Sequence, residues 1–260
     1  MQAVKSINII NSQPMTTEEA YAFVEANKRL LTETNQGARC VDGRYENIED
    51  MPLAAKPGGD AGEVMVLFGA LNLLGQMLPN EKVLDVATES VGGPQNFRFH
   101  TDDGAGDAVG MGCGHIKNAK LDSAAYGLQQ DQIDFLFEQL PSLITEGAEQ
   151  TTLHGEHKEQ AVIVVDSESH GVLPLLRDDN GLHEAFIYQK TLHAKHLEKL
   201  SKLLQEAFAE QGNVVEQPQI LESLNNAFGK QLGETLKRLA LGKPVYTAKI
   251  SADGVVEISE

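Results

Sequence analysis

The five residues Ala161-Val162-Ile163-Val164-Val165 restrict the fold of this chain more than any other segment. They are continuously apolar and almost all β-branched, with no alternation of polar positions. A strand of that kind has no face to offer water. It reads as buried on both sides, the setting found in a parallel sheet covered by helices.

The remaining sequence supplies helices for that cover. Thr16 and Glu19 have capping-box spacing, and Tyr21, Val24, Leu30 and Leu31 follow near helical spacing. The glycine-rich loop Lys56-Pro57-Gly58-Gly59-Asp60-Ala61-Gly62 opens an apolar helix over roughly residues 63–78. A helix with Val83, Leu84, Val86 and Ala87 precedes Gly92-Gly93-Pro94. Residues 96–100 alternate like a strand, and 101–112 form a polar, glycine-rich loop. Residues 131–149 read as a helix kinked at Pro141, 181–210 contain a long helix, and 220–241 another. Asp253-Gly254 lies between two alternating segments, 245–250 and 255–258, a strong hairpin signal. No internal repeat, low-complexity tract or linker interrupts the 260 residues. The expected architecture is a single α/β domain. A central, mostly parallel sheet is flanked by helices, with a helical C-terminal half and a terminal β-hairpin.

Charge narrows the partners. There are 21 basic and 38 acidic residues, a formal net charge of −17. Such a surface repels nucleic-acid phosphates and disfavours anionic membranes. The most apolar stretch, 64–78, is interrupted by Gly69, Asn72, Gly75 and Gln76, so it is too short and too polar to span a bilayer. The N-terminal residues show no targeting pattern. Two cysteines, Cys40 and Cys113, exclude a disulfide scaffold. These features predict a soluble cytoplasmic protein, with a homo-oligomer possible.

Both cysteines sit among glycines and ionisable groups: Cys40-Val41-Asp42-Gly43-Arg44 and Gly112-Cys113-Gly114-His115. His100 lies between them, at the end of the expected strand. Two thiolates and an imidazole form a typical zinc ligand set, and three protein ligands leave a coordination position open for catalysis. Cysteines that are simply inert core residues are the alternative. Asp42 and Arg44 are two apart, so on an extended segment they share a side with Cys40. A guanidinium fork beside a carboxylate holds it ionised, and the same pair can also be a structural ion pair closing a turn.

Cys40-Val41-Asp42-Gly43-Arg44 resembles the Cys-x-Asp-x-Arg motif of β-class carbonic anhydrases. Together with Pro57-Gly58-Gly59-Asp60-Ala61-Gly62-Glu63, Phe99-His100-Thr101-Asp102-Asp103 and Gly112-Cys113-Gly114-His115, it is more similar to the ζ-class, the cadmium/zinc enzymes of marine diatoms. The four motifs arrive in the family's order within residues 39–120. The resemblance implies reversible hydration of carbon dioxide to bicarbonate through hydroxide held on a metal. It assigns Cys40, His100 and Cys113 as ligands, Asp42 and Arg44 as the catalytic dyad, and Gly58, Gly59 and Asp60 as the loop that walls the site. It implies Zn2+, with Cd2+ or Co2+ interchangeable, and carbon dioxide and bicarbonate as small-molecule partners. The chain departs from the pattern in a longer 100–113 interval, in having one copy rather than tandem repeats, and beyond about residue 122. His115 rivals His100 as the nitrogen ligand. Asp60, Asp102, Asp103 and His115 are candidate proton shuttles. Other readings are hydrolysis of carbonyl sulfide or carbon disulfide at the same site, a metal-binding or thiol-redox protein without hydration, and a scaffold.

Further histidines read as less informative. His154 and His157 look like a solvated helix end, and His193 and His196 like the surface of a Lys-rich helix. Asp166-Ser167-Glu168-Ser169-His170 follows the buried strand, where residues can line a pocket or cap a helix. A serine elbow and a phosphate-binding loop are both missing from the sequence.

Overall fold

The computed structural model describes residues 16–18, 20–22, 25, 38–40, 54–102, 113–153, 161–167, 185–189, 194–239, 245–251 and 255–259. They divide into two compact units interleaved along the chain, 1–57 with 153–190 and 236–260, and 58–152 with 191–235. Helices carry the larger share of the described residues.

The first unit holds most of the strands. β1 (Ala38–Cys40) pairs in parallel with β2 (Ala54–Lys56) and places Cys40 in register with Lys56. β5 (Ala161–Ser167) is the segment expected from its β-branched run. It lies between β6 (Ala185–Gln189) and β7 (Val245–Ile250) and is parallel to both. β7 turns back against β8 (Val256–Ser259) in antiparallel register, the hairpin that Asp253-Gly254 announces.

One central, mostly parallel sheet flanked by helices is not what the described strands form. They fall into three sheets, because β3 (Arg98–Asp102) pairs with β4 (Glu149–Leu153) rather than with the β5 sheet. Sheet membership depends on the partner strand, and local sequence does not encode that choice.

The second unit is built around α1 (Gly59–Leu74). Every residue from Gly59 to Leu71 is buried, which is why the helix is apolar all round rather than amphipathic. Around it lie α2 (Asn80–Ser90), α3 (Gly114–Leu121), α4 (Gln130–Thr145) and strand β3. Helix α5 (Ala194–Glu210) packs against α2. It buries Leu197, Leu200, Leu204, Ala207 and Phe208, an i, i+3, i+4 stripe. Helix α6 (Gln217–Leu239) reaches α1 closely because position 69 has no side chain. A Cβ on Gly69 would lie 3.1 Å from Ala227 Cβ and 3.0 Å from Gln231 Nε2. That amide nitrogen donates to Met65 O at 2.8 Å.

Several expected elements differ, among them the strand expected over 96–100, which runs Arg98–Asp102. The apolar helix starts at Gly59 instead of 63, so the glycine loop forms its first turn. The helix expected over 131–149 runs 130–145 through Pro141, and residues 149–153 are strand β4. The stretch 181–210 contains β6 before its helix, since a short apolar run such as Ala185-Phe186-Ile187-Tyr188-Gln189 suits either state.

Candidate metal centre

The glycine loop organises the second unit's share of the motifs. Gly58 adopts φ 81°, a left-handed conformation that side chains disfavour, and turns the chain into α1. A Cβ there would lie 2.8 Å from Ile116 Cδ1, so the turn sits directly on the helix that begins after Cys113. Ile116 is fully buried. Two residues on, Asp60 is 1% exposed and its Oδ2 accepts the Arg98 backbone N–H at 2.7 Å. A buried carboxylate is tolerated here because it lies in the first helical turn, where the macrodipole favours negative charge, and because a backbone donor meets it. The loop motif is thereby tied to β3, which carries His100, and to α3, which Cys113 precedes.

Cys113 is the residue before α3, with extended backbone at φ −67° and ψ 114°, and is 3% exposed. His100 occupies the middle of β3 rather than its end, because pairing with β4 carries the strand on to Asp102. Cys40 closes β1. The side chains of Cys40 and His100, and all of Asp42, Arg44, Asp103, His154, His157, His170 and His193, lie outside the described residues. Among the described residues no group of three or more His, Cys, Asp or Glu gathers as a metal site. The donor chemistry of the predicted set, two sulfurs and one imidazole, suits a borderline-to-soft divalent ion.

His115 is a core residue. It is 6% exposed, and its Nδ1 is hydrogen-bonded to Thr235 Oγ1 on α6. The Thr235 hydroxyl donates to Gln231 O at 2.9 Å, so Thr235 Oγ1 accepts and the imidazole proton belongs on Nδ1. The ring meets Tyr126 edge-on, centroids 5.4 Å apart. Burial disfavours the charged imidazolium and lowers its pKa from 6.5 to about 3.

A second buried histidine contact was not legible in the sequence. His196 on α5 is a half-buried residue, not a surface one, and its Nε2 pairs with Glu63 Oε2 on α1. Glu63 is itself 1% exposed. Its other oxygen, Oε1, is 2.7 Å from Ser90 Oγ at the end of α2, and that hydroxyl also lies 2.7 Å from Ala87 O. Lys199 Nζ donates to Ser90 O at 2.7 Å. Three helices thus meet at one buried carboxylate. The available signal was Glu63 itself, an acid embedded in an apolar helix.

No family model matches the chain, and no curated protein matches it. Among solved structures it is similar to the cadmium-bound second domain, with acetate, of the carbonic anhydrase from the marine diatom Thalassiosira weissflogii. The identity is 19%, the coverage 85% of this chain and 86% of that chain, and the TM-score 0.40. Among the described residues, no helix is long and apolar enough to cross a membrane.

Proposed function

We propose that the chain is a metal-dependent carbonic anhydrase that interconverts carbon dioxide and bicarbonate. Cys40, His100 and Cys113 would hold the divalent ion. When bound, the ion supplies a water acidic enough to be hydroxide near neutral pH. The observation that supports this reading is the convergence of three motif segments in the second unit: Gly58 on Ile116 of α3, and Asp60 on Arg98 of β3. A chain whose Gly-Gly-Asp, His and Cys motifs served unrelated structural purposes would have no reason to tie them to one turn.

In this proposal the chain's own groups do the following. Arg44 keeps Asp42 ionised, and Asp42 accepts the hydrogen bond that aims the attacking oxygen at carbon. The Gly58–Asp60 turn would wall the substrate side, with Ile116 filling the space beside Gly58. Asp60 fixes the start of β3, so that His100 is presented from a strand whose position is set. Two thiolates neutralise a divalent charge, which makes the water less acidic than three imidazoles would. The orientation supplied by Asp42 therefore matters more here.

The test separates ligands from the dyad. Cys113→Ser is expected to lose metal and hydration together, whereas Asp42→Asn keeps the metal and loses roughly a hundredfold in kcat. An Asp42→Asn protein with unchanged turnover contradicts the assigned role. A Cys113→Ser protein that retains its full metal complement contradicts the ligand set.

A further inference from the structure

We propose that Thr235, acting through His115, positions the metal ligand Cys113, so that the C-terminal helix α6 sets how tightly the ion is held. This rests on the ligand set proposed above. The motifs that carry the resemblance end before residue 120, so Thr235 lies outside all of them.

Cys113 is placed by the helix it begins. Its carbonyl accepts the Lys117 N–H at 2.9 Å, so its backbone is bonded into the first turn of α3. Where that turn goes, the sulfur goes with it. Two adjacent side chains hold the turn. Ile116 lies against Gly58 at the start of α1, where a Cβ would come within 2.8 Å of its Cδ1. His115 is hydrogen-bonded to Thr235 on α6. Neighbouring side chains on a helix diverge by about 100° at 3.6 residues per turn. One contact alone leaves α3 free to turn about its axis, and the two together do not. The α6 end is itself fixed. Thr235 and Gln231 are each 1% exposed. The Thr235 hydroxyl donates to Gln231 O at 2.9 Å, and Gln231 Nε2 donates to Met65 O on α1 at 2.8 Å. Both anchors of α3 therefore end on α1, one directly at Gly58 and one through α6 at Met65. Asp60, in the first turn of α1, holds Arg98 N at the start of β3. Helix α1 is thus the common reference for the segments that carry His100 and Cys113, and Thr235 completes the second link. A zinc–sulfur bond is about 2.3 Å long and tolerates about 0.2 Å of displacement, so a helix start that swings weakens binding. Neither His115 nor Thr235 needs to touch the ion; both are positioning residues.

A purely structural role for the same contacts predicts a different result, and the test separates the two. The full chain, stripped of metal, is titrated with Zn2+ in competition with a chromophoric chelator. Thr235→Val keeps the shape of the side chain and removes the hydroxyl, and is expected to weaken Zn2+ binding about tenfold or more. Thr235→Ser restores the hydroxyl and is expected to bind as the wild type does. Leu204→Val removes a methylene from the buried face of α5 and serves as a destabilising control, with affinity expected unchanged. In Co2+-loaded protein, the thiolate-to-metal absorption is expected to move in Thr235→Val and to stay in place in Leu204→Val. Wild-type affinity or an unmoved absorption in Thr235→Val overturns the positioning role. So does an equal loss of affinity in Leu204→Val, or a Thr235→Ser protein that binds no better than Thr235→Val. If Thr235→Val does not fold, the question is put from the other end. His115→Asn retains an N–H donor for Thr235 and is expected to bind Zn2+ more tightly than His115→Leu, and equal affinities overturn the proposal. A wild type that takes up no stoichiometric metal overturns this proposal together with the function it rests on. A wild type that binds one ion, with Thr235→Val indifferent, overturns this proposal alone.

Discussion

His115 and His196 lie in the same unit, and each is anchored by one ring nitrogen, yet their surroundings make them different chemical objects. His115 is sealed in the core, its Nδ1 on the Thr235 hydroxyl and its ring T-shaped to Tyr126. A hydroxyl cannot compensate a buried charge, so the ring is neutral until strongly acid conditions. His196 is partly open to water and rests on a carboxylate. The two rings are thus held differently, one sealed against a neutral hydroxyl and the other set on a carboxylate at the edge of solvent.

The largest expected effect comes from the sealed ring. In the unfolded chain its imidazole charges near 6.5, whereas in the folded metal-free protein it stays neutral down to about 3. Between those values only the unfolded state takes the proton. Stability therefore falls as pH is lowered through 6.5, by about 1.4 kcal/mol per unit from this group, and its contribution levels off below about 3. Urea unfolding of the metal-free protein across that range, followed by circular dichroism, measures the slope. His115→Phe is expected to flatten it, and an unchanged slope would break the contrast between the two rings.

Glu63→Gln attacks the other side of the comparison. It replaces charge-assisted hydrogen bonds in a buried site by neutral ones and is expected to cost about 2 kcal/mol in the same unfolding experiment. A neutral outcome would mean the carboxylate is not what holds α5. Thr235→Val sharpens the His115 side by leaving a buried N–H without its acceptor, and is expected to cost about 1–2 kcal/mol. The exposed pair Lys82–Glu210, 2.6 Å apart with 32% and 63% of the side chains accessible, also links α2 to α5. Its hydrogen bond raises the Lys82 pKa. Solvent screens such a pair, so Lys82→Met should change stability by no more than about 0.5 kcal/mol. A larger loss would place the attachment of α5 at the surface instead of at Glu63.

Much of this architecture could be read locally. The β-branched run of β5 announced a strand of a parallel sheet, and Asp253-Gly254 announced the antiparallel pairing of β7 with β8. The start of α1 was misplaced because nothing in the sequence shows that Gly58 is left-handed and that Gly59 already begins the helix. β4 was hidden because Glu149-Gln150-Thr151-Thr152-Leu153 continues a polar helix as plausibly as it forms a strand, until β3 is there to pair with it. At the site, the motifs around Cys40, Gly58, His100 and Cys113 were visible as short strings. The Glu63–His196 pair was not, since its partners are 133 residues apart and only tertiary packing unites them. Side chains that act through local turns leave a local record, whereas those that act across helices do not.

The proposed hydration depends on a divalent ion. Its most direct measurement is the metal content of the purified protein beside its stopped-flow carbon dioxide hydration rate, before and after chelation and again after Zn2+ or Cd2+ is restored. One divalent ion per chain is expected, with activity lost on chelation and regained on reloading. A protein that binds no stoichiometric metal, or one that binds it and leaves carbon dioxide unhydrated, would contradict it.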